Sequence, residues 1–206
     1  SGETCAGTLG AFAANGPLTY ALSNNHVLAA CNHTPLRMPV LSPATVDARP
    51  GRRAPTAIGE FADMVELRSG IPGLVAPMTL DAAIAQVGNT DLVSSWQGDS
   101  TDGYDTPGGV AVPRSRMRVK KIGRTTGQLE AFVPTPWILP YKSGKFTAQV
   151  WFADTWTIRS NDGDPFALPG DSGSLVVAED GSGALGLVFA VNASGGTAAI
   201  ASDEEI

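Results

Sequence analysis

The sequence predicts an all-β protein built from two small antiparallel barrels. Three segments, residues 18–22, 146–152 and 185–191, alternate large apolar residues with smaller or polar ones, and a period of two is the spacing of side chains on one face of a strand. The chain also contains 24 glycines and 15 prolines without a triplet period, which is typical of many turns between short strands. Together these observations disfavour a helical bundle.

A turn-rich segment divides the predicted strands into two groups. Residues 98–113 are rich in glycine, proline, aspartate and serine and hold few large apolar residues, so they are predicted to connect two barrels. The N-terminal barrel would span residues 1–97 and the C-terminal barrel residues 114–206. Each half would hold about a hundred residues of short strands, which suits barrels better than an open parallel sheet whose crossovers need long helices.

Two further segments bear on the strand assignment. Residues 179–183 are rich in turn formers and lie between two apolar runs, which predicts a C-terminal hairpin between residues 175–177 and the strand that begins near residue 185. Residues 59–67 fit a helical face about as well as a strand, so the pattern does not decide between the two.

Charge and composition exclude several classes of function. The 14 lysines and arginines are dispersed in a chain of net charge −6, so no nucleic-acid interface is expected. No apolar run approaches the roughly 18 residues that a membrane span requires. The two cysteines cannot form a tetrahedral thiolate site by themselves, so no metal is expected. The sequence does not indicate an oligomeric state.

The two cysteines, Cys5 and Cys31, flank His26 in the sequence. A disulfide between them would close a loop around His26 and add about 3 kcal/mol by restricting the unfolded chain. Two reduced, buried thiols fit the spacing equally well. A bridge would favour an extracytoplasmic or secreted location, and its absence a cytoplasmic one.

Ser172 is the candidate nucleophile. It lies between Gly170-Asp171 and Gly173, immediately before an apolar run. A serine hydroxyl needs a neighbouring base to become nucleophilic, and the oxyanion that forms needs N–H donors, which a glycine-rich turn can supply. The candidate donors are the amides of Gly170 and Ser172. The same residue types also form ordinary turns, so the motif alone leaves a structural role open.

The chain has two histidines, and His26 is the candidate general base. It follows a predicted strand that ends at Leu22, and a residue at such a junction can present its imidazole to a neighbouring serine. An unperturbed imidazole titrates near pH 6.5, so it can accept and return a proton. His33 lies in an Asn-His-Thr-Pro segment and is expected to be an exposed loop residue.

Asp81 is the candidate carboxylate that orients the imidazole. It begins an apolar segment, where an acidic side chain would be partly buried and would need a partner. Asp63 and Asp91 are the competing acids, and a turn or cap role for Asp81 stays open.

The segments "NNHVLAA", "DAAIAQV" and "GDSGS" occur in the order His, Asp, Ser, and with them the chain resembles the chymotrypsin-like serine peptidases. "TCAGTLGAF" is similar to the family's first cysteine-containing strand, and "KKIGRTTG" resembles a segment of the compact bacterial members typified by alpha-lytic protease. The resemblance implies two six-stranded antiparallel barrels with the active site between them. It also implies that His26, Asp81 and Ser172 form a triad, and it favours the Cys5–Cys31 bridge.

The resemblance implies roles for residues around the triad. Asp171 would turn inward and pair with a cation, which Arg124 in "GRTTG" would supply. The backbone of Phe189, Ala190 and Val191 would bind an extended peptide by strand addition. Phe189 departs from the family pattern, because many relatives have a serine at this position, and Ser174 stands where large animal enzymes have glycine.

Substrate preference is expected to depend on Phe166, which lies six residues before Ser172 at the usual base of the primary pocket. An aromatic ring there favours a small or aliphatic side chain. A shift of two residues would instead place Asp164 at the base and favour a basic side chain.

The leading hypothesis is a serine endopeptidase that cleaves polypeptides through an acyl-enzyme, with neither metal nor organic cofactor. An esterase would use the same groups. An inactive protein-binding domain on the same scaffold is the alternative from another class.

Overall fold

The computed structural model of the 206-residue chain describes residues 6–71, 73–94, 106–121, 128–129, 131–134, 137–143, 146–160, 165–191 and 197–201. These residues form fourteen strands in sheets of five, two and seven strands, and all the strand pairs are antiparallel. The prediction of an all-β protein is confirmed.

The first sheet comes from the N-terminal half and has the order β1-β2-β5-β4-β3. Its strands are β1 (Ala11–Asn15), β2 (Leu18–Ser23), β3 (Pro39–Ser42), β4 (Thr56–Met64) and β5 (Ala83–Val87). A tight turn joins β1 to β2, and Gly16 adopts a φ of 57° there, a conformation open to glycine. A single helical turn, α1 (Asn25–Leu28), follows β2, and short 3-10 turns lie at Thr45–Asp47 and Thr90–Leu92.

Most of residues 59–67, the segment that fitted a helix and a strand equally well, lies in strand β4. The pairing of β4 with β5 shifts register between Phe61 and Asp63, which marks a bulge. The bulge changes which face successive side chains occupy, so Phe61 and Met64, three residues apart on either side of it, both contact the same core cluster. A broken alternation of this kind imitates the spacing of a helical face, which is why periodicity alone did not assign residues 59–67.

The other two sheets come from the C-terminal half. The seven-stranded sheet has the order β7-β6-β12-β13-β14-β11-β8, and the remaining pair is β9-β10. The strands are β6 (Val119–Lys121), β7 (Gln128–Leu129), β8 (Ala131–Pro134), β9 (Trp137–Ser143), β10 (Phe146–Phe152), β11 (Thr155–Arg159), β12 (Leu175–Ala178), β13 (Ala184–Val191) and β14 (Thr197–Ala201). The predicted hairpin is confirmed, because β12 pairs with β13.

The β9–β10 pair links the two halves. The amide of Gly70 donates to the carbonyl of Gln149 at 3.0 Å, and the amide of Met78 donates to the carbonyl of Trp151 at 2.7 Å. The amide of Ala153 donates back to Met78 at 2.9 Å. Among the described residues, the β9–β10 ribbon pairs along its length only with itself, and it meets the N-terminal half at isolated bridges.

Only residues 106–113 of the predicted connector lie within the described residues. This segment is hydrogen-bonded to β13. The amide of Ala184 donates to the carbonyl of Gly109 at 2.8 Å, and the amide of Ala111 donates to the carbonyl of Ala184 at 2.7 Å. The domain limits themselves stay a prediction. None of the helices in the described ranges has the length and apolarity that a membrane crossing requires.

Candidate active site

The Asp81 carboxylate is wholly buried and accepts hydrogen bonds on both oxygens. Its Oδ1 accepts from the amides of Asn25 at 2.7 Å and of His26 at 3.4 Å, because the first amides of α1 have no acceptor inside the helix. Its Oδ2 lies 2.6 Å from His26 Nδ1 and accepts from the Tyr141 hydroxyl at 2.9 Å. The carboxylate therefore holds the backbone and the side chain of the same histidine.

His26 is partly open to solvent, with 21% of its side chain exposed. A proton on Nδ1 satisfies the Asp81 carboxylate and leaves Nε2 as the basic nitrogen of the ring. The helix that carries His26 lies directly after β2, which pairs with β5, and Asp81 precedes β5 by two residues. The strand pairing thus brings the acid and the imidazole together.

A cluster of asparagines supports the histidine helix. Asn24 Nδ2 donates to the backbone carbonyl of Asp81 at 2.7 Å. Asn25 Nδ2 donates to the carbonyl of Val65 at 2.8 Å and to Asn32 Oδ1 at 2.6 Å. Asn32 Nδ2 donates to the carbonyl of Leu67 at 2.8 Å. Sequence reasoning missed these residues. The signal for Asn24 and Asn25 is two consecutive polar residues between the half-buried strand β2 and His26.

The serine turn, residues 168–174, leaves two backbone amides available. The amides of Asp171, Gly173 and Ser174 donate to the carbonyls of Leu168, Val188 and Asp171 at 2.8 to 2.9 Å. In the described part of the chain, the amides of Gly170 and Ser172 donate to no acceptor. Gly170 and Gly173 adopt φ values of 107° and 90°, so the turn requires glycine at both positions. An oxyanion requires unused N–H donors of this kind, and this turn offers two.

Thr8 attaches the serine turn to the N-terminal half. Its amide donates to the carbonyl of Ser172 at 2.8 Å, and its Oγ1 donates to the carbonyl of Gly170 at 2.9 Å. Ser23 Oγ in turn donates to the carbonyl of Thr8 at 2.7 Å. A Cβ at Gly173 would collide with Ser23 Oγ and the Thr8 carbonyl, so only glycine allows this close approach. Sequence reasoning missed Thr8, because contacts between distant segments leave no local pattern.

The serine turn and the histidine helix lie on either side of Gly7. A Cβ on this glycine would come within 2.6 Å of the Val27 side chain and 2.9 Å of the Ser172 carbonyl. The Ser172 side chain is half-buried, and among the described residues its hydroxyl forms no hydrogen bond. Serine–histidine hydrogen bonds are often long before substrate binds.

Lys121 is the cation that contacts Asp171 in the described residues. Its Nζ lies 3.0 Å from Asp171 Oδ2, and both side chains are wholly buried. The amide of Leu168 donates to the same oxygen at 2.9 Å. Burial lowers the pKa of Lys121 below its usual 10.5, while the hydrogen bond and the charge of Asp171 act in the opposite direction. The pair fixes Asp171 inside the serine turn.

The resemblance assigned this cation to Arg124, which lies outside the described residues, so that assignment stays a prediction. What sequence reasoning missed is the lysine three residues earlier. Its signal is the pair Lys120-Lys121 on β6, since alternation along a strand turns one of two consecutive side chains inward.

The side chain of Phe166 is buried in the core of the C-terminal half. Only 1% of the residue is exposed, and it belongs to the core of the seven-stranded sheet together with Ile158 and Val176. Its ring lies 5.5 Å from Lys121 Nζ, so it packs against the buried ion pair. The role of Phe166 at the base of a substrate pocket stays a prediction; counting from Ser172 did not reveal how deeply the side chain is buried. The competing residue, Asp164, lies outside the described residues.

The predicted peptide-binding strand lies beside the serine turn. Strand β12 pairs with β13 only as far as Leu187, and the amide of Val188 then donates to the carbonyl of Ser174 at 3.0 Å. No strand in the described ranges pairs with this edge of β13 at Ala190 and Val191, which are half-buried. The Phe189 side chain is buried instead, so it serves the core rather than a substrate surface.

The competing acids and the second histidine form none of these contacts. Asp63 and Asp91 are exposed, and His33 is an exposed loop residue as predicted. Cys5 lies outside the described residues, so the bridge to Cys31 stays a prediction; Cys31 Sγ lies 4.0 Å from the carbonyl of Lys142. The described part of the chain contains no group of three or more histidine, cysteine or acidic residues that could hold a metal ion.

Neither a protein-family model nor a curated protein sequence matches the chain. Solved structures do match the chain. A glutamic-acid-specific serine protease is 15% identical with a TM-score of 0.59, over 95% of this chain and 91% of its own. Protease A of Thermobifida fusca is 19% identical with a TM-score of 0.59, over 94% of this chain and 83% of its own. An alpha-lytic protease homologue is 18% identical with a TM-score of 0.54, over 98% of this chain and 93% of its own.

At these identities the likeness shows the fold. The chain has the chymotrypsin-like fold of bacterial serine proteases, as its resemblance to them predicted.

Proposed function

We propose that the protein is a serine endopeptidase in which Ser172 is the nucleophile, His26 the general base and Asp81 the residue that orients the base. One observation carries the proposal. The buried Asp81 carboxylate is fixed by backbone amides through one oxygen and contacts His26 Nδ1 at 2.6 Å through the other. This arrangement selects the tautomer in which Nε2 can accept a proton.

In the proposed reaction, His26 Nε2 takes the proton of Ser172 Oγ as that oxygen attacks the carbonyl carbon of the scissile peptide bond. The carbonyl oxygen becomes an oxyanion, which accepts hydrogen bonds from the amides of Gly170 and Ser172. His26 then gives its proton to the leaving amine, and the C–N bond breaks to form an acyl-enzyme ester. A water molecule, deprotonated by His26, hydrolyses the ester and restores Ser172.

The substrate we propose is an extended polypeptide that adds to the edge of β13 at Ala190 and Val191. This edge continues past the point where Val188 bonds the serine turn, so a peptide there would pass beside Ser172. Main-chain hydrogen bonds supply affinity with little dependence on sequence, and pockets for alternate side chains supply the selectivity. Phe166 at the base of the primary pocket would favour a small or aliphatic side chain, and Asp164 in that place would favour a basic one.

The test is labelling of the folded protein with a fluorophosphonate probe. We expect an adduct on Ser172 in the parent, a strongly reduced rate in His26→Ala and no adduct in Ser172→Ala. Ser174→Ala is the matched control, because this serine lies in the same turn with its hydroxyl buried, and it should label like the parent. Equal labelling of all variants would reject Ser172 as nucleophile.

Turnover of substrates then separates the enzyme classes. A labelled parent should cleave unstructured polypeptides as well as activated esters. Ester cleavage without peptide cleavage would indicate an esterase. A folded parent that does not label would contradict the proposal and favour the protein-binding alternative.

A further inference from the structure

Tyr141, on β9 of the C-terminal half, contacts the carboxylate that the N-terminal half supplies. Its hydroxyl donates to Asp81 Oδ2 at 2.9 Å, and both residues are buried. We propose that Tyr141 is a positioning residue that fixes Asp81, and through it the His26 imidazole, for the reaction. This inference rests on the proposed function and extends it to a residue outside the proposed triad.

The distribution of donors on Asp81 gives Tyr141 this role. Backbone amides of α1 hold Oδ1, so they determine where the carboxylate lies. Oδ2 is shared by the Tyr141 hydroxyl and His26 Nδ1, at 2.9 and 2.6 Å. A carboxylate oxygen has two in-plane lone pairs, and a hydroxyl that occupies one of them directs the imidazole to the other. Tyr141 therefore sets the direction from which His26 meets the acid.

The Tyr141 ring also contacts the histidine directly. The two rings meet edge to face, with centroids 5.5 Å apart and planes at 69°. On its other side Tyr141 packs against Phe152 at 6.1 Å, and Phe152 packs against Phe189 at 4.6 Å. A hydroxyl on a ring packed in this way has little freedom to swing away from Asp81. The aromatic stack thereby connects β13, the proposed peptide-binding strand, to the histidine.

The contacts between the two halves place Tyr141 and Asp81 side by side. Met78 exchanges backbone hydrogen bonds with Trp151 and Ala153, around the end of β10, and Asp81 follows Met78 by three residues. Tyr141 pairs with Ala148 on the same ribbon. The segment that carries the acid is thus fastened to the ribbon that carries the phenol.

Tyr141 remains a donor over the working range of a serine peptidase. Burial raises the pKa of Tyr141 well above its usual 10.0, and the charge and hydrogen bond of Asp81 act in the same direction, with a smaller contribution from Cys31. In the described part of the chain, the charged or titratable side chains that contact or act on the phenol are those of Asp81, His26 and Cys31, and the phenol stays protonated beside them.

The test is Tyr141→Phe, which keeps the ring and removes the hydroxyl, with Tyr20→Phe as the matched control. Tyr20 lies half-buried on β2 and takes no part in the site. We expect kcat to fall about tenfold in Tyr141→Phe with KM within about twofold, because the base is less well oriented in the transition state. Tyr20→Phe should match the parent in both constants.

Two readouts distinguish positioning from a merely structural role. Without the hydrogen bond from the phenol, Asp81 Oδ2 is a stronger hydrogen-bond acceptor for His26 Nδ1. The His26 Nδ1 proton should then move downfield in the proton NMR spectrum, and the low-pH limb of the kcat/KM profile should shift to higher pH. Tyr20→Phe should change neither. Lower thermal stability with an unchanged resonance and profile would overturn the inference.

The NMR readout needs no turnover, so the two proposals can fail separately. An unlabelled, inactive parent would reject the proposed peptidase, and the Nδ1 resonance of Tyr141→Phe would still report whether the phenol orients the Asp81–His26 pair. An active parent whose Tyr141→Phe variant keeps kcat, resonance and pH profile would reject only the role of Tyr141.

Discussion

The Asp81–His26 pair and the serine turn are held in place by different kinds of contact. Apart from the two α1 amides that donate to Asp81 Oδ1, side chains hold the pair: the asparagine cluster and the Tyr141 phenol surround it. Backbone hydrogen bonds hold the turn, apart from the Lys121–Asp171 ion pair and the Thr8 hydroxyl. Conservative changes near Asp81 should therefore alter chemistry more than stability, whereas loss of the buried cation should alter stability first.

The largest effect on activity is expected from Asp81→Asn. The asparagine Oδ1 can still accept from the α1 amides, but its amide group meets His26 Nδ1 as a donor and so favours the wrong tautomer. We expect kcat near neutral pH to fall about ten-thousandfold, with a cooperative unfolding transition retained. Steady-state kinetics and urea unfolding measure the two quantities. Asp63→Asn, at an exposed acid, is the control and should leave both unchanged.

The largest effect on stability is expected from Lys121→Met. The change removes the ammonium group 3.0 Å from Asp171 Oδ2 and leaves a buried carboxylate without that charge. The unfolding free energy should fall by about 3 to 5 kcal/mol. Lys120→Met, at the half-buried neighbour on β6, should cost much less. Equal urea midpoints for the two variants would show that the buried pair does not stabilise the serine turn.

The stability of the protein at alkaline pH should depend on the Tyr141 phenol. Its pKa is raised in the folded state, so the contribution of Tyr141 is fully present below pH 10 and is lost as pH rises above the unfolded value of 10.0. Above that pH, the unfolding free energy of the parent should fall up to about 1.4 kcal/mol per pH unit more steeply than that of Tyr141→Phe. Parallel curves from denaturant unfolding would contradict the raised pKa.

The smallest effect is expected from Thr8→Val. The substitution keeps the shape of the side chain and removes the 2.9 Å hydrogen bond to the Gly170 carbonyl, while the amide bond to Ser172 remains. We expect a loss of about 1 kcal/mol in the unfolding free energy. Thr8→Ser keeps the hydroxyl, so its unfolding free energy should stay close to that of the parent. A valine variant as stable as the parent would mean that the backbone bond alone fastens the turn.

The sequence was most informative where a local pattern carries the chemistry. Alternating strands predicted the all-β fold, and an acid at the start of an apolar segment predicted a buried partner for His26. Asp81 does contact the imidazole. The catalytic roles of the two residues, and that of Ser172, stay predictions.

The sequence was least informative where a contact joins distant segments. Thr8, Lys121 and Tyr141 lie 162, 50 and 60 positions from the residues they contact, and no local spacing encodes such pairs. The burial of Phe166 was equally hidden from the sequence. Its distance from Ser172 along the chain matched a pocket position, while its side chain lies in the core, because burial depends on which neighbours the sheet brings together.

The central claim is that His26 activates Ser172 to form a covalent acyl-enzyme. The direct measurement is the intact mass of the protein, quenched in acid during the first turnovers of an activated ester, followed by peptide mapping. We predict one acyl group per chain, located on Ser172, with none formed by Ser172→Ala or His26→Ala on the same timescale. Hydrolysis by the folded parent with the acyl group on another residue, or with none at any time, would contradict the account.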